Sequence, residues 1–240
     1  MWLFRKTDPL EFTDGARFVS FVGAGGKSTL IDYVAAGWMR RGKRVAVTTT
    51  TKIRAQEPYT LFDRDALGKG NLPDFIRVGK TVEDAKLTGL EEREVWELSQ
   101  HYDLVLIEAD GSKGKPLKYP AEYEPVVPPF SDLVLVVAGL DAISHRVDEV
   151  VFRSELFTNE TGVPGDAQLS EELFLAFFDP DMLLKGVELE KCVIALNKYD
   201  ACARRGAVTD IAKLASRVSD NAPVLISSVK FGIFYGLEVV

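Results

Sequence analysis

Seven short runs along the chain are apolar almost throughout: RFVSFVG (17–23), RVAVTTT (44–50), FIRVG (75–79), DLVLIEA (103–109), DLVLVVA (132–138), KCVIALN (191–197) and PVLISS (223–228). Runs that lack polar alternation suit strands covered on both faces, as in a parallel sheet between helices. Between the first two, KSTLIDYVAAGWMRRG spaces Leu30, Ile31, Val34, Ala35 and Trp38 at helical intervals and ends on Gly42, a suitable C-cap. EEREVWELSQ and TDIAKLASRVS read as further helices. Strand and helix in alternation predict an α/β fold, a doubly wound, mostly parallel sheet flanked by helices, with ligands at the carboxyl ends of the strands. One domain over residues 1–240 is expected, with surface excursions or a small subdomain at 55–75 and 110–130, where Gly, Pro and charge concentrate.

Composition narrows the function. Apolar residues make up 46% and charged residues 27%, as in globular proteins. A net charge of -7 argues against wrapping nucleic acid on a basic face. No apolar run approaches the roughly 20 residues of a membrane span, and MWLFRKTDPLEF does not read as a secretion signal; a cytoplasmic location is expected. Cys192 and Cys202 are too few for a disulfide framework, and Cys192 stands in an apolar run as a small buried hydrophobe would. His101 and His145 show no metal-ligand spacing with them.

The chemistry gathers at strand ends. FVSFVGAGGKSTL carries Gly23-Ala24-Gly25-Gly26-Lys27-Ser28-Thr29, a shortened phosphate loop in which Phe21 stands where the usual longer form has its first glycine. Glycines let backbone N–H groups converge on an anion, the following helix offers its positive end, and Lys27 adds a full charge. Lys27 is expected to stand exposed over the anion hole. Ser28 is placed for Mg²⁺. In DLVLIEADGSKGK the alternation sets Leu104, Leu106, Glu108 and Asp110 on one side, with Asp110 the first choice for the magnesium shell and Glu108 the second. Thr48 to Thr51, followed by Lys52, are either strand formers or hydroxyl ligands for Mg²⁺ or a γ-phosphate.

Asn197-Lys198-Tyr199-Asp200 is an N-K-x-D sequence directly after an apolar run. In GTP-binding proteins its aspartate accepts hydrogen bonds from guanine N1–H and the N2 amino group, which adenine cannot supply, while the lysine stem covers the base. Ser227-Ser228-Val229-Lys230 partly matches the S-A-K element that meets guanine O6.

The order of short glycine loop, Thr-rich second strand, IEADGSKGKPLK, VVAGLDAI, FRSELF and LNKYD resembles the YqeC family, accessory proteins of selenium-dependent molybdenum hydroxylases, over about residues 18 to 230. More broadly the chain is similar to the P-loop class of MinD-like ATPases and metallocentre-maturation GTPases. It departs from the first in having Val22 near the place of their extra lysine, and from nickel-maturation GTPases in lacking their Cys/His elements. The resemblance implies nucleotide binding with Mg²⁺ and a part in maturing a molybdenum enzyme. It places Gly23 to Thr29, Asp110 and Asn197 to Asp200 in the nucleotide site. Lys27 and Asp110 are the expected catalytic groups, with Ser28, Glu108 and Asp110 on the metal. GTP is the expected nucleotide and ATP the alternative. Expected partners are a molybdenum hydroxylase or its cofactor-assembly proteins and a second copy of the chain. Two other functions stay open: an ATP-dependent small-molecule kinase or ligase-like enzyme, and a binding module that nucleotide stabilises without turnover.

Overall fold

The computed structural model describes residues 2–68 and 72–239; residues 69–71, inside the excursion expected at 55–75, lie outside the described residues. A ten-stranded sheet runs through the molecule. Its strands, numbered along the chain, are β1 (Trp2–Lys6), β2 (Phe18–Gly23), β3 (Val45–Thr49), β4 (Thr60–Leu61), β5 (Phe75–Gly79), β6 (Leu104–Glu108), β7 (Leu133–Gly139), β8 (Cys192–Asn197), β9 (Val224–Ser228) and β10 (Ile233–Val239). They lie in the order β1-β10-β9-β8-β7-β2-β6-β3-β5-β4. From β9 to β4 every pairing is parallel, while β10 pairs antiparallel with both β9 and β1. All seven runs singled out for their apolar content are strands of this sheet.

Two apolar clusters cover its two faces. On one face helix α1 (Lys27–Arg40) packs Leu30, Ile31, Val34, Ala35 and Trp38 against Leu104, Leu106, Leu135 and Val137. Gly42 follows the helix at φ 79°, and its N–H donates to Met39 O at 2.9 Å. On the other face lie α2 (Glu92–Leu98), α3 (Ser154–Thr161), α4 (Glu171–Ala176) and α5 (Val208–Val218), which bury Val95, Phe157, Phe174 and Ile211 against Val105, Ile107, Val136 and Ile194. Alternate residues of a strand point to opposite faces, so Leu104 and Leu106 join one cluster and Val105 and Ile107 the other.

Two small sheets stand beside the large one, while Thr60–Leu61, within the stretch 55–75 where a surface excursion was expected, joins the edge of the large sheet itself. Ile53–Arg54, Val82–Glu83 and Lys86–Leu87 form a three-stranded antiparallel sheet, and Leu117–Lys118 pairs with Val151–Phe152. No helix among the described residues is long and apolar enough to cross a membrane.

The chain goes from β2 outward to β3, returns to β6 between them, and then passes to β7 on the far side of β2. The direction of winding reverses at β2, and such a switch point opens a crevice at the carboxyl ends of the strands. There Gly23, Thr49, Glu108, Gly139, Asn197 and Ser228 end their strands at one edge of the sheet.

Candidate functional site

At the switch point β2 runs through Ala24, Gly25 and Gly26 into α1. Gly25 and Gly26 hold φ of 81° and 111°. A Cβ on Gly25 would stand 2.2 Å from Gly139 N, and one on Gly26 2.6 Å from Asn197 Nδ2, so neither position admits a side chain by conformation or by space. Backbone bonds pin the turn: Gly23 N–H donates to Asp110 Oδ2 (2.9 Å), Ala24 N–H to Val137 O (2.8 Å) and Gly25 N–H to Lys115 O (3.1 Å). These three amides are committed inward, contrary to the expectation that the glycine amides converge on an anion. The anion-facing donors shift to the start of α1, whose N-terminus has no side-chain cap and whose Ser28 and Thr29 are exposed.

Lys27 is not exposed over a hole. It is 2% accessible, with Nζ 3.0 Å from Asp110 Oδ1 and 3.7 Å from Glu108 Oε1, and it donates to Gly23 O at 2.5 Å. The two carboxylates that strand alternation set on one side attract the ammonium and fold the side chain back under the loop. Burial alone lowers the Lys27 pKa, but the charges of Asp110 and Glu108 outweigh it and hold the ammonium above its ordinary value. Burial raises the Glu108 pKa, and Lys27 offsets this only in part.

The ionic chain continues to Lys118, Glu124 and Arg153, to which the sequence alone assigns no role. Lys118, 1% accessible, reaches Asp110 Oδ2 at 3.0 Å and Glu124 Oε2 at 2.8 Å, and donates to Gly111 O at 3.0 Å. Glu124 also pairs with Arg153. Burial raises the pKa of Glu124, but hydrogen bonds from Arg153 and Lys118 win and hold it below the ordinary value. Glu108, Lys27, Asp110, Lys118, Glu124 and Arg153 thus alternate in sign, three carboxylates against three cations. Lys118 carries a sequence signal in the excess of lysine in SKGKPLK just after a strand-end acid, which spacing alone does not tell from a solvated loop, and Glu124 and Arg153 carry none.

The preference for Asp110 over Glu108 as magnesium ligand does not match this geometry. Asp110 is occupied by an amide and two ammonium groups, whereas Ser28 Oγ lies 3.2 Å from Glu108 Oε2. Among the described residues no three His, Cys, Asp or Glu side chains group to hold a metal by themselves. A serine and one carboxylate fit Mg²⁺, which keeps most of its shell as water and phosphate oxygen.

Asn197, at the end of β8, fastens the site's two halves together. Its Nδ2 donates to Gly25 O at 2.9 Å, and its Oδ1 accepts from Ser227 Oγ at 3.0 Å. Lys198 takes φ 61° and its ammonium meets Asp141 Oδ2 at 2.7 Å. Asp200 is half-buried and accepts from the Ser228 hydroxyl. The N-K-x-D residues, Ser227 and Ser228 therefore adjoin the loop as one unit.

Of the four threonines, three serve the scaffold: Thr48 Oγ1 donates to Val78 O (2.9 Å), Thr49 Oγ1 to Glu108 O (2.7 Å) and Thr50 Oγ1 to Val126 O (2.6 Å). Thr50 and Thr51 also line a cleft of about 1330 Å³ that opens from Gly26–Thr29 toward the small sheet of Ile53–Arg54 and toward Tyr123, Phe152 and Arg153. Cys192, at the start of β8, and Cys202, just after the N-K-x-D element, are buried free thiols, and burial pushes Cys192 up to about 12.

Strand, glycine turn and helix at a switch point, with an Asn-Lys-Tyr-Asp element packed on the turn, make this a doubly wound α/β protein whose glycine turn stands where such folds take their ligands. The chain belongs to the YqeC family, whose model, described as YqeC protein, matches residues 19–155. It is 32% identical over 206 residues to the uncharacterized protein YqeC of Escherichia coli (strain K12), covering 80% of each chain. Among solved structures, the hydrogenase maturation factor HypB from Archaeoglobus fulgidus is 14% identical with a TM-score of 0.46, over 93% of this chain and 87% of that one. The matched family stretch contains the glycine loop, all six residues of the ionic chain and every residue that lines the cleft; Asn197 to Asp200 lie beyond it.

Proposed function

We propose that this chain binds GTP with Mg²⁺ at the glycine loop, hydrolyses it slowly, and acts in the cytoplasm as an accessory factor in the maturation of a selenium-dependent molybdenum hydroxylase. The observation that carries the nucleotide reading is Asn197, whose amide spans Gly25 O and Ser227 Oγ and so sets the base-reading element against the phosphate loop. The first turn of α1 holds the phosphates by its amides and its dipole. Ser28 and Glu108 would hold Mg²⁺, which would supply neutralisation of triphosphate charge when bound. Lys27 leaves part of its ion pairing to meet the triphosphate, and Asp110 keeps the loop in place through Gly23 N–H and Lys118. Two carboxylates beneath the loop repel a bare triphosphate, so binding depends on the metal. Asp200 selects guanine. The hydroxylase assignment rests on the resemblance to the family, and a second copy of the chain or a cofactor-assembly protein is the partner it implies.

The test is nucleotide competition with the purified protein. Wild type should prefer GTP over ATP by more than about tenfold, about 1.4 kcal/mol, because a mismatched base leaves buried polar groups unpaired. Asp200→Asn should weaken GTP and improve xanthosine triphosphate, which presents an acceptor where guanine has its amino group. Equal affinity for GTP and ATP, with no gain of xanthosine binding in the variant, sinks the guanine reading and favours an ATP-dependent enzyme.

A further inference from the structure

The cleft beside the phosphate loop differs in charge from the rest of the molecule. The chain carries a net charge of -7, yet seven Lys or Arg side chains line the cleft against three Asp or Glu. Part of that excess is neutralised locally, since Arg77 meets Asp32 at 2.5 Å and Lys27 and Arg153 belong to the ionic chain. Of the remainder, Lys52 is paired with Glu83, Lys113 stands in the loop after Asp110, and Arg54 and Lys86 stand on the small sheet that forms the outer wall.

In that sheet Arg54 and Lys86 are direct register partners on one face. Like charges directly opposite one another across a strand pair destabilise it. The partner of Lys86 on its other side is Glu83, but that carboxylate is held by Lys52 at 2.6 Å. Among the described residues neither Arg54 nor Lys86 has an ion-pair partner, and both are exposed toward the cleft. An anion between them would remove the repulsion. The facing wall presents rings: Tyr123 is 72% accessible, and Phe152 is backed by the Arg153 guanidinium at 4.6 Å and the Lys113 ammonium at 5.5 Å. None of Asn197, Lys198 and Asp200 lines this space, so a base seated on the N-K-x-D element leaves it free. Ligand sites of about 300–1,000 Å³ are usual, and a cleft of about 1330 Å³ holds a terminal phosphate and a further molecule.

We propose that this cleft is a second ligand site, for a small organic anion bearing a planar ring, with its phosphate or carboxylate between Arg54 and Lys86 and its ring against Tyr123 and Phe152. The site adjoins the terminal phosphate of the bound nucleotide, and in that respect it rests on the function proposed above.

Flavin mononucleotide is a suitable probe, because it joins a phosphate to a planar ring whose fluorescence is quenched by stacking. With the protein saturated with Mg²⁺ and a non-hydrolysable GTP analogue, it should bind saturably, and riboflavin, which lacks the phosphate, at least about tenfold more weakly. The double variant Arg54→Glu/Lys86→Glu should lose at least about tenfold in probe affinity while retaining nucleotide affinity by calorimetry. Lys191→Glu/Lys213→Glu, which alters net charge equally at two residues that do not line the cleft, should change neither, and Tyr123→Ser should reduce the quenching. The proposal is overturned by absence of saturable binding below about 1 mM, by equal loss in the two double variants, or by displacement of the probe by nucleotide. A wild-type protein that binds the probe but no nucleotide keeps the anion site and removes the nucleotide function instead.

Discussion

Lys118→Met tests whether the alternating ionic chain holds the phosphate loop in place. Lys118 is fully buried, contacts Asp110 at 3.0 Å and Glu124 at 2.8 Å, and donates to Gly111 O at 3.0 Å. Methionine fills nearly the same volume, so little of the effect is a cavity. The change leaves two cations facing three carboxylates out of water. Removing one partner of a buried pair costs about 3–5 kcal/mol, because the other charge stays buried and uncompensated. For a chain of this size that lowers Tm by roughly 2–4 °C per kcal/mol. Urea unfolding followed by tryptophan fluorescence measures it. Adding Glu124→Gln restores equal numbers of charges, so the double variant should be less destabilised than the sum of the single ones by about 1–3 kcal/mol. A Lys118→Met protein within about 1 kcal/mol of wild type, or strict additivity in the double variant, refutes the idea that these charges act as one network.

The same network predicts a pH dependence for Glu124→Gln. Because Glu124 has a folded pKa below its ordinary 4.5, its stabilising contribution is complete above that value and is lost as pH falls through the folded one. The gap in urea midpoint between wild type and Glu124→Gln should therefore be widest at neutral pH and close in acid; a constant gap contradicts the assignment. Glu108→Gln should weaken Mg²⁺-supported nucleotide binding more than Asp110→Asn does, whereas Asp110→Asn should cost more in stability, since only Glu108 touches Ser28 and only Asp110 is shared by two lysines. Gly26→Ala should abolish nucleotide binding, because its Cβ would meet Asn197 Nδ2 at 2.6 Å and φ is 111°; titration with the GTP analogue measures this, and wild-type affinity would show the turn can relax. Cys192, pushed up to about 12, should resist a thiol reagent until the protein is unfolded, and reaction in the native state would show that β8 opens locally.

Seven strands were legible because each is buried on both faces, and burial writes itself into the sequence as an unbroken apolar run. The helix after Gly26 was legible for the matching reason, an apolar stripe closed by Gly42. By contrast β1 and β10 were not. Trp2–Lys6 is partly exposed and pairs with residues more than two hundred positions away, from Trp2 opposite Val239 to Lys6 opposite Tyr235, a match that no local pattern can reveal. Helices α3 and α4 are short and bury few residues, so their periodicity is weak. The glycine loop, Glu108, Asp110 and the N-K-x-D element could be named from residue types at strand ends. What each one touches could not. Whether Lys27 faces solvent or folds onto carboxylates depends on β6 lying beside β2, and whether Ser28 meets Glu108 or Asp110 depends on where β6 ends. Lys118, Glu124 and Arg153 read as ordinary loop charges because their pairing joins three separated segments. Chain patterning records burial, which is a property of one residue at a time; ion pairs and shared ligands are properties of distance, and folding alone brings those partners together.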